Sequence, residues 1–418
     1  MNKVLKTGKI LIPKDADLSK WSVVACDQYT SQPEYWDAVS EYVGDAPSTL
    51  HITLPEIYLE GDDVAQRIES INANMQKYID TNLFKEIAGK YIYVERTQRD
   101  GVVRHGLMGV VDLEEYDYRK GSQTAIRATE GTVLERIPPR VRVRENASLE
   151  LPHIMLLIDD RDLTVIEPLF TEKENFEIAY DFTLMQDSGS IRGYIVDDKA
   201  QARIDAAIAA LADKDTFCKK YSVGDDKGVL LFAVGDGNHS LATAKECYER
   251  IKAKIGDEAK DHPARYALVE VTNVHDKALE FEPIHRVVFD VDPEKMMADL
   301  AKFYELGDEG QGFVAVIGDE KREIFVKNAP TNLAVGTLQK FIDEYLEKNG
   351  GRVDYIHGDD VVEELSKVPT NIGFLLPPME KEELFPTVIL DGALPRKTFS
   401  MGHAYDKRFY LEARKISR

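Results

Sequence analysis

The sequence lacks the features that mark several large classes of protein. It has 3 cysteines, and Cys26, Cys218 and Cys247 form neither a CxxC pair nor the spacing of a zinc site. We therefore expect a chain that folds without disulfides in a reducing compartment, which favours a cytoplasmic location. No apolar stretch approaches the length of a membrane span, and the N-terminal segment lacks the apolar core of a signal peptide.

Positive charge is also scarce. Lys and Arg number 53 against 74 for Asp and Glu, which gives a net charge of -21. A field of this sign repels nucleic acid and anionic lipid, so we expect neither as a partner. We expect a small-molecule partner, and a homo-oligomer remains open. An anionic ligand would then need a local group of Arg side chains or backbone N–H groups.

Two common nucleotide-binding patterns are missing. The glycine spacings of P-loops and of Rossmann folds are absent, which argues against ordinary P-loop kinases and nicotinamide dehydrogenases. The hydrophobic pattern instead predicts an α/β (α+β) fold with mixed sheets. It includes a hairpin at Asp100-Gly101, an alanine-rich helix over Asp198–Ala212 and a last helix over Ala404–Lys415. A composition break near Asp290–Pro293 predicts an N-terminal domain over 1–290 and a smaller C-terminal α/β domain over 291–418.

The most informative segment is Gly228–Arg250. The short apolar run Val229–Val234 predicts a buried strand, and apolar residues recur at helical spacing from Leu241. Between them, Gly235 and Gly237 allow a sharp turn and close approach to a ligand. The first N–H groups of the following helix, together with its dipole, then point at that ligand. The segment therefore predicts a phosphate site.

Polar residues of this turn supply candidate chemistry. Asp236 can hold Mg²⁺ against a phosphate, while Asn238 and His239 can donate a hydrogen bond, act as acid or base, or add a metal contact. Ser240 is a further candidate phosphate ligand. Capping is the alternative, because Asp236 and Asn238 also suit turns and helix starts, and His239 can simply satisfy a carbonyl.

A positive segment lies earlier in the chain. Arg127 is a candidate for phosphate binding, and Glu130 is a candidate base toward a substrate hydroxyl. Arg140, Arg142 and Arg144 alternate with valines, so the solvated face of an edge strand is the favoured interpretation there, with anion capture as the alternative.

Three weaker candidates occur elsewhere. Asp27–Thr30 follows a predicted strand and precedes a helix, so it predicts either a second wall of a cleft or a cap. His285-Arg286 begins an apolar strand, where a satisfied structural pair is favoured slightly over a site. Pro395–His403, which contains Lys397, either completes an anion pocket or starts the last helix.

The order of these segments resembles a bacterial and archaeal family, the domain of unknown function numbered 1015. That family has a central Asp-Gly-His-His-Arg turn, an earlier His-Glu-x-Thr segment, a later His-Arg and a C-terminal Pro-x-Lys. These correspond to Asp236–Ser240, Thr129–Thr132, His285-Arg286 and Pro395–Lys397. Thr129, Asn238 and Ser240 depart from the pattern, which indicates a distinct subgroup.

The turn also resembles that of ParB/sulfiredoxin-like proteins, which include free-serine kinases. This implies a ParB/sulfiredoxin-like strand-turn-helix core and phosphoryl transfer on a small hydroxyl metabolite, best L-serine or O-phosphoserine, in either direction. ATP or ADP is then a co-substrate and Mg²⁺ binds at Asp236. The catalytic candidates are Glu130, Asp236, His239 and His285; the binding candidates are Arg127, Gly235, Gly237, Asn238, Ser240, Arg286 and Lys397. The alternative is a regulatory protein that binds a nucleotide or phosphometabolite without catalysis.

Overall fold

The computed structural model describes residues 3–132 and 134–418. They group into two compact units: the first comprises the described residues up to Leu279 together with His403–Arg418, and the second is Glu280–Gly402. The predicted boundary at residue 290 falls inside the second unit, and the division into domains 1–290 and 291–418 stays a prediction. The predicted mixed α/β class is confirmed, because both units combine helices with sheets.

The first unit is built from strands and helices that are interspersed along the chain. Up to Leu279 the strands are β1 (Leu5–Lys6), β2 (Gly8–Pro13), β3 (Val23–Val24), β4 (Phe84–Lys90), β5 (Ile92–Thr97), β6 (Val103–Asp112), β7 (Tyr116–Asp117), β8 (Ile126–Ala128), β9 (Leu149–Glu150), β10 (Met155–Ile158), β11 (Glu177–Thr183), β12 (Ser190–Ile195), β13 (Phe232–Asp236) and β14 (Tyr266–Asn273). The helices are α1 (Leu18–Trp21), α2 (Pro33–Val43), α3 (Val64–Asp80), α4 (Ile137–Arg144), α5 (Leu169–Glu172), α6 (Asp198–Leu211), α7 (Lys214–Tyr221) and α8 (Asn238–Ile255).

One large mixed sheet organises this unit, in the order β11-β12-β5-β6-β14-β10-β13-β8-β7 with β1 added on β6. The predicted hairpin at Asp100-Gly101 joins β5 and β6, and the predicted strand-turn-helix is β13 followed by α8. Alternate residues of the central strands enter different cores. Ile92 and Met108 belong to one hydrophobic cluster and Tyr93 and Leu107 to another, so the sheet is covered on both faces.

Strand direction decides which loops meet at each edge of this sheet. Strands β13 and β8 are parallel, whereas β10 runs antiparallel to β13 and parallel to β14. The carboxyl ends of β8 and β13 therefore meet the amino end of β10; we call this the Asp236 edge. The carboxyl ends of β10 and β14 lie at the opposite side, which we call the Asp159 edge after the residue that follows β10.

The second unit contains a separate antiparallel sheet. Its strands are β15 (Phe281–Pro283), β16 (His285–Phe289), β17 (Leu306–Gly307), β18 (Gln311–Ile317), β19 (Glu320–Val326), β20 (Arg352–Ile356), β21 (Ile372–Leu375) and β22 (Phe399–Met401), and its helices are α9 (Pro293–Phe303), α10 (Ala334–Asn349), α11 (Asp359–Ser366) and α12 (Lys381–Asp391). The sheet order is β17-β19-β18-β21-β16-β20, and β15 pairs separately with β22. Nowhere in residues 3–132 and 134–418 does a helix combine the length and hydrophobicity needed to cross a bilayer.

The last segment returns to the first unit as extended chain. The prediction of a helix over Ala404–Lys415 is wrong, because strands β23 (Phe409–Tyr410) and β24 (Arg414–Lys415) occupy it. Strand β23 pairs with β3, and β24 pairs with β9. Two charged side chains of this segment have distant partners: Arg414 Nε donates to Glu150 Oε1 at 2.6 Å, and Lys407 contacts Asp236. Tertiary pairing has overridden the local helical pattern.

A second correction concerns the arginines near residue 140. They lie in helix α4 and not on an edge strand. Pro138 and Pro139 occupy the first turn of that helix, where a missing N–H costs nothing. Arg140 donates to Glu56 and Arg144 to Glu150, so helical spacing distributes these cations over separate acidic partners.

Candidate anion-binding site

The turn after β13 begins with a β-bulge. Leu156 pairs with Val234, but the preceding residue, Met155, pairs with Asp236. Gly235 is therefore an extra residue in β13. A bulge bends its strand and redirects the side chain that follows. Gly235, which the sequence predicts to contact phosphate, thus sets the direction of Asp236.

Gly237 then starts helix α8 from the left-handed region, with φ of +80°. A Cβ at this position would lie 3.0 Å from Ile154 Cα, so both conformation and space require glycine. The Gly237 amide donates to Asp236 Oδ1 at 2.8 Å. The turn therefore has a fixed geometry, and the N–H groups of the first helical turn, which have no acceptor within the helix itself, lie beyond it.

The loop after β8 lies against this turn. The parallel register pairs Ala128 with Val234, and Glu130 and Asp236 each lie two residues beyond this pair. Thr129 Oγ1 donates to Val234 O at 2.6 Å and lies 3.4 Å from Asn238 Nδ2. Strand pairing therefore brings the loop that carries Glu130 to the Asp236 edge, where adjacent parallel strands end and ligands commonly bind.

A lysine from the C-terminal segment contacts the turn. Lys407 Nζ donates to Asp236 Oδ2 at 3.2 Å, and the two side chains are 14% and 20% exposed. No sequence pattern marks Lys407, because it lies 171 positions from Asp236 in a segment whose pattern predicts a helix that does not form.

A histidine that sequence analysis also missed lies beside the first turn of α8. His153 Nε2 is 3.2 Å from Ser240 Oγ and 3.5 Å from Asp27 Oδ2. Its Nδ1 is 3.0 Å from Tyr410 Oη, which accepts a hydrogen bond from the Cys26 amide. The predicted second wall at Asp27 is thus joined to the turn through His153. No spacing motif marks this histidine, because its partners are far apart in sequence.

These partners restrict the protons on His153. Because Tyr410 Oη already accepts from a backbone amide, its own proton is available to Nδ1 of a neutral imidazole, whose remaining proton then lies on Nε2. Burial opposes protonation of the ring, yet the charges of Asp27 and Asp236 outweigh it and raise the pKa of His153. Burial likewise opposes ionisation of Asp27, but His153 holds the pKa of that carboxyl well below its usual range. Asp27 and His153 therefore stabilise each other's charged forms beside the helix N-terminus.

The other predicted residues of the first unit are placed differently. His239 and Ser240 lie in the first turn of α8, and their role around a phosphate stays a prediction. Arg127 is buried and donates to Thr124 O and Gly228 O, so its guanidinium lies toward the amino end of β13. Burial lowers the pKa of Arg127 to about 10, and the side chain stays charged at neutral pH. The structure places Asp236, Asn238, His239 and Ser240 in one turn, with the loop that carries Glu130 beside it, but it does not bring the Arg127 guanidinium there.

The predicted residues of the second unit have structural partners there. His285 Nδ1 accepts from the Leu376 amide at 3.0 Å, and its Nε2 lies 2.8 Å from Asp359 Oδ1. Arg286 is fully buried and donates to the carbonyls of Arg396 and Lys397 at 2.9 and 3.0 Å. These contacts match the favoured interpretation of a satisfied pair. The roles of His285, Arg286 and Lys397 in catalysis or binding stay predictions.

The site offers few ligands for a metal ion. Within the part of the chain that the structure describes, no three His, Cys, Asp or Glu side chains converge as a metal site. Asp236 supplies one carboxylate, and Glu130 follows the neighbouring strand. Mg²⁺ commonly binds through one or two carboxylates together with phosphate oxygens and water, so these residues fit Mg²⁺ only when a phosphate is present.

Comparison with known families identifies the chain. Residues 9–345 match the model of the family described as "Protein of unknown function (DUF1015)". The chain belongs to this family. The match confirms the resemblance drawn from the Asp236–Ser240 turn, and it ends before the C-terminal segment of this DUF1015 protein that carries Lys407 and Tyr410. No curated protein shows significant sequence similarity to it.

Several solved structures are distantly similar. SbnI with a C-terminal truncation, from Staphylococcus aureus, is 11% identical, with coverage of 73% of this chain and 82% of that one and a TM-score of 0.35. A free serine kinase in complex with AMP is 12% identical, with coverage of 72% and 90% and a TM-score of 0.36. A conserved hypothetical protein from Pyrococcus furiosus is 11% identical, with coverage of 74% and 94% and a TM-score of 0.35. Similarities this low assign neither architecture nor activity.

Proposed function

We propose that this DUF1015 protein transfers a phosphoryl group at the turn between β13 and α8. The observation that carries the proposal is the set of groups around the N-terminus of α8: Asp236 with Lys407, and Ser240 with the His153–Asp27 pair. Phosphate suits such a place, because the helix N–H groups and dipole favour an anion and the nearby side chains donate hydrogen bonds. In an acidic protein, these local donors are what an anionic substrate needs.

Each residue of the turn has a distinct role in this proposal. Gly235 and Gly237 shape the backbone, while Asn238, His239 and Ser240 present donors to the phosphate. Glu130, which follows the neighbouring strand β8, accepts the proton of the attacking hydroxyl. General-base catalysis requires this hydroxyl to lie within hydrogen-bond reach of the Glu130 carboxylate. Asp236 holds the Mg²⁺ of a nucleotide or phosphorylated substrate, and the ion neutralises charge on the phosphate oxygens.

The proposed substrate is a small metabolite with a hydroxyl group, with ATP or ADP as the phosphate donor or product. L-serine and O-phosphoserine are the best candidates, because the turn resembles that of free-serine kinases. The reaction runs either as a kinase, from the nucleotide to the hydroxyl group, or as a phosphatase, in which water accepts the phosphoryl group of the phosphorylated metabolite and inorganic phosphate is released.

The proposal is tested by binding and turnover together. Calorimetry with ADP, with and without Mg²⁺, should show binding that Asp236→Asn weakens mainly when Mg²⁺ is present. Incubation with ATP or ADP and L-serine, and separately with O-phosphoserine, should show transfer followed by ³¹P NMR. Absence of transfer in every combination, with wild-type protein that binds ADP tightly, would reject the enzyme.

That outcome would support the second candidate function, a regulatory protein that binds a nucleotide or phosphometabolite. The ion pair between Lys407 and Asp236 favours this alternative, because Lys407 already neutralises the carboxylate and can serve anion binding without a metal. Glu130→Gln distinguishes the two functions. It abolishes turnover if the protein is an enzyme, and it leaves ligand affinity unchanged if the site is purely regulatory.

A further inference from the structure

The Lys407 side chain has more capacity than its one contact uses. An ammonium group has three N–H donors, and across residues 3–132 and 134–418 Lys407 Nζ hydrogen-bonds with Asp236 alone. The side chain is nevertheless largely buried. A partly desolvated cation with unused donors beside a helix N-terminus is suited to an anion, because both sources of positive potential act at the same point.

The backbone around Lys407 is held firmly on both sides. Arg96 Nη2 donates to Tyr405 O at 2.9 Å, and Arg104 Nη1 donates to Asp406 O at 3.0 Å. Arg408 Nη1 lies 2.9 Å from Glu270 Oε2 in a buried ion pair, and β23 begins directly afterwards. The backbone of Lys407 is therefore already ordered. Its side chain loses less conformational freedom on binding a ligand than the side chain of a lysine in a mobile surface segment.

A second lysine of the same unit shows what a purely structural pair looks like. Lys220 Nζ lies 3.0 Å from Asp159 Oδ2, with side chains 22% and 4% exposed. That carboxylate also accepts from Tyr221 Oη at 2.7 Å and lies 2.7 Å from His275 Nε2. Asp159 is therefore saturated, and Lys220 also donates to the Asp159 carbonyl. Lys407 and Asp236 have no comparable set of shared partners in the described chain.

We propose that Lys407 is a ligand-binding residue, whose Nζ bridges Asp236 and a phosphate oxygen held at the N-terminus of α8. The inference rests on the proposed function for the identity of the anion, a phosphate group. It adds a binding residue from a segment that the DUF1015 match does not reach. Without ligand, Asp236 holds Lys407; with ligand, the ammonium is shared between the carboxylate and the phosphate.

The first experiment measures affinity for inorganic phosphate and for ADP without Mg²⁺, by calorimetry on the full chain. Lys407→Met should weaken both by about tenfold or more, the scale of one lost charge-assisted hydrogen bond. Lys407→Arg should retain much of the affinity, since the charge remains. Lys220→Met is the matched control and should leave both affinities within about twofold of wild type.

Asp236→Asn separates a binding role from a structural one. If Lys407 binds the anion, removing the carboxylate charge frees the ammonium and strengthens Mg²⁺-free phosphate binding severalfold, and this gain disappears in the Lys407→Met background. If Lys407 only neutralises Asp236, Lys407→Met in the Asp236→Asn background leaves phosphate affinity unchanged, which overturns the inference. Circular dichroism and melting temperatures verify that each variant is folded.

The same data separate this inference from the proposed function. Phosphate binding that depends on Lys407, without transfer to any hydroxyl substrate, supports the inference and rejects the enzyme. Transfer with Mg²⁺-free affinities unchanged in Lys407→Met supports the enzyme and rejects the inference. Wild-type protein that binds neither phosphate nor ADP rejects both.

Discussion

The two edges of the large sheet carry similar residues in different states. At the Asp159 edge, Asp159 is surrounded by Lys220, Tyr221 and His275, and these partners hold its pKa well below the usual range despite burial. At the Asp236 edge, the described hydrogen-bonding partners of the carboxylate are the Gly237 amide and Lys407, and the Asp236 side chain is 20% exposed against 4% for Asp159. A saturated cluster stabilises the fold, whereas a cluster with unused donors can take a ligand.

Of the variants considered, Glu130→Gln should have the largest effect on phosphoryl transfer. A small effect would contradict the contrast between the two edges. Gln keeps the volume of Glu130 but cannot accept a proton, so we expect the rate of phosphoryl transfer to fall by ~100-fold or more with ADP affinity near normal. Steady-state kinetics and calorimetry measure the two quantities. Glu167→Gln is the control, because Glu167 contacts Asn273 at the Asp159 edge and should leave the rate unchanged. Equal losses in both variants would contradict a catalytic role for Glu130.

Asp159→Asn and Asp236→Asn should have crossed effects. Breaking the buried Asp159 cluster should lower the free energy of unfolding by about 3 kcal/mol or more, with little change in nucleotide affinity. Asp236→Asn should change the free energy of unfolding by less than about 1 kcal/mol, because a partly exposed ion pair contributes little, and should weaken Mg²⁺-dependent ADP binding. Urea unfolding and calorimetry check both. Two variants that lose stability alike would show that Asp236 is a structural cap.

Gly237→Ala should be more disruptive than Gly256→Ala. Both glycines have positive φ, of +80° and +58°, but only Gly237 has backbone, the Ile154 Cα, 3.0 Å from an added Cβ. We expect a loss of about 2 kcal/mol or more at Gly237 and about 1 kcal/mol at Gly256, from thermal unfolding. Phosphate affinity should fall only in Gly237→Ala, because only that turn presents N–H groups to the anion. Loss of affinity in Gly256→Ala would place the anion elsewhere.

The smallest expected effect is on the pH dependence of the free energy of unfolding, to which His153 and His285 should contribute with opposite signs. The pKa of His153 is raised above 6.5 in the folded protein. The contribution of His153 to the free energy of unfolding is therefore fully present below pH 6.5 and is lost as pH rises through its pKa in the folded protein. Burial lowers the pKa of His285 below 6.5, so stability should increase as pH rises toward 6.5. The stability difference between wild type and His153→Gln should therefore shrink above pH 6.5. For His285→Gln, the pH dependence should change below pH 6.5 instead. Slopes of the same sign in urea titrations would contradict these assignments.

The sequence predicted what is local and missed what is distant. Neighbouring residues predict strand β13, the Gly235–Gly237 turn and helix α8. The local hydrophobic pattern likewise predicts the fold class. Arg140 was misassigned although Pro138 and Pro139 mark a helix start. No local signal marks His153, whose hydrogen-bonding partner Tyr410 lies 257 positions away. Lys407 was hidden by a helical pattern that pairing with β3 overrides.

The return of the C-terminal segment to the first unit has a consequence for biosynthesis. Glu280–Gly402 is translated after Asp27, His153 and Asp236 but before Lys407 and Tyr410. On the ribosome, the nascent first unit therefore lacks β23 and both of these side chains while the intervening residues are being made. The candidate site therefore becomes complete only after the second unit has been synthesised.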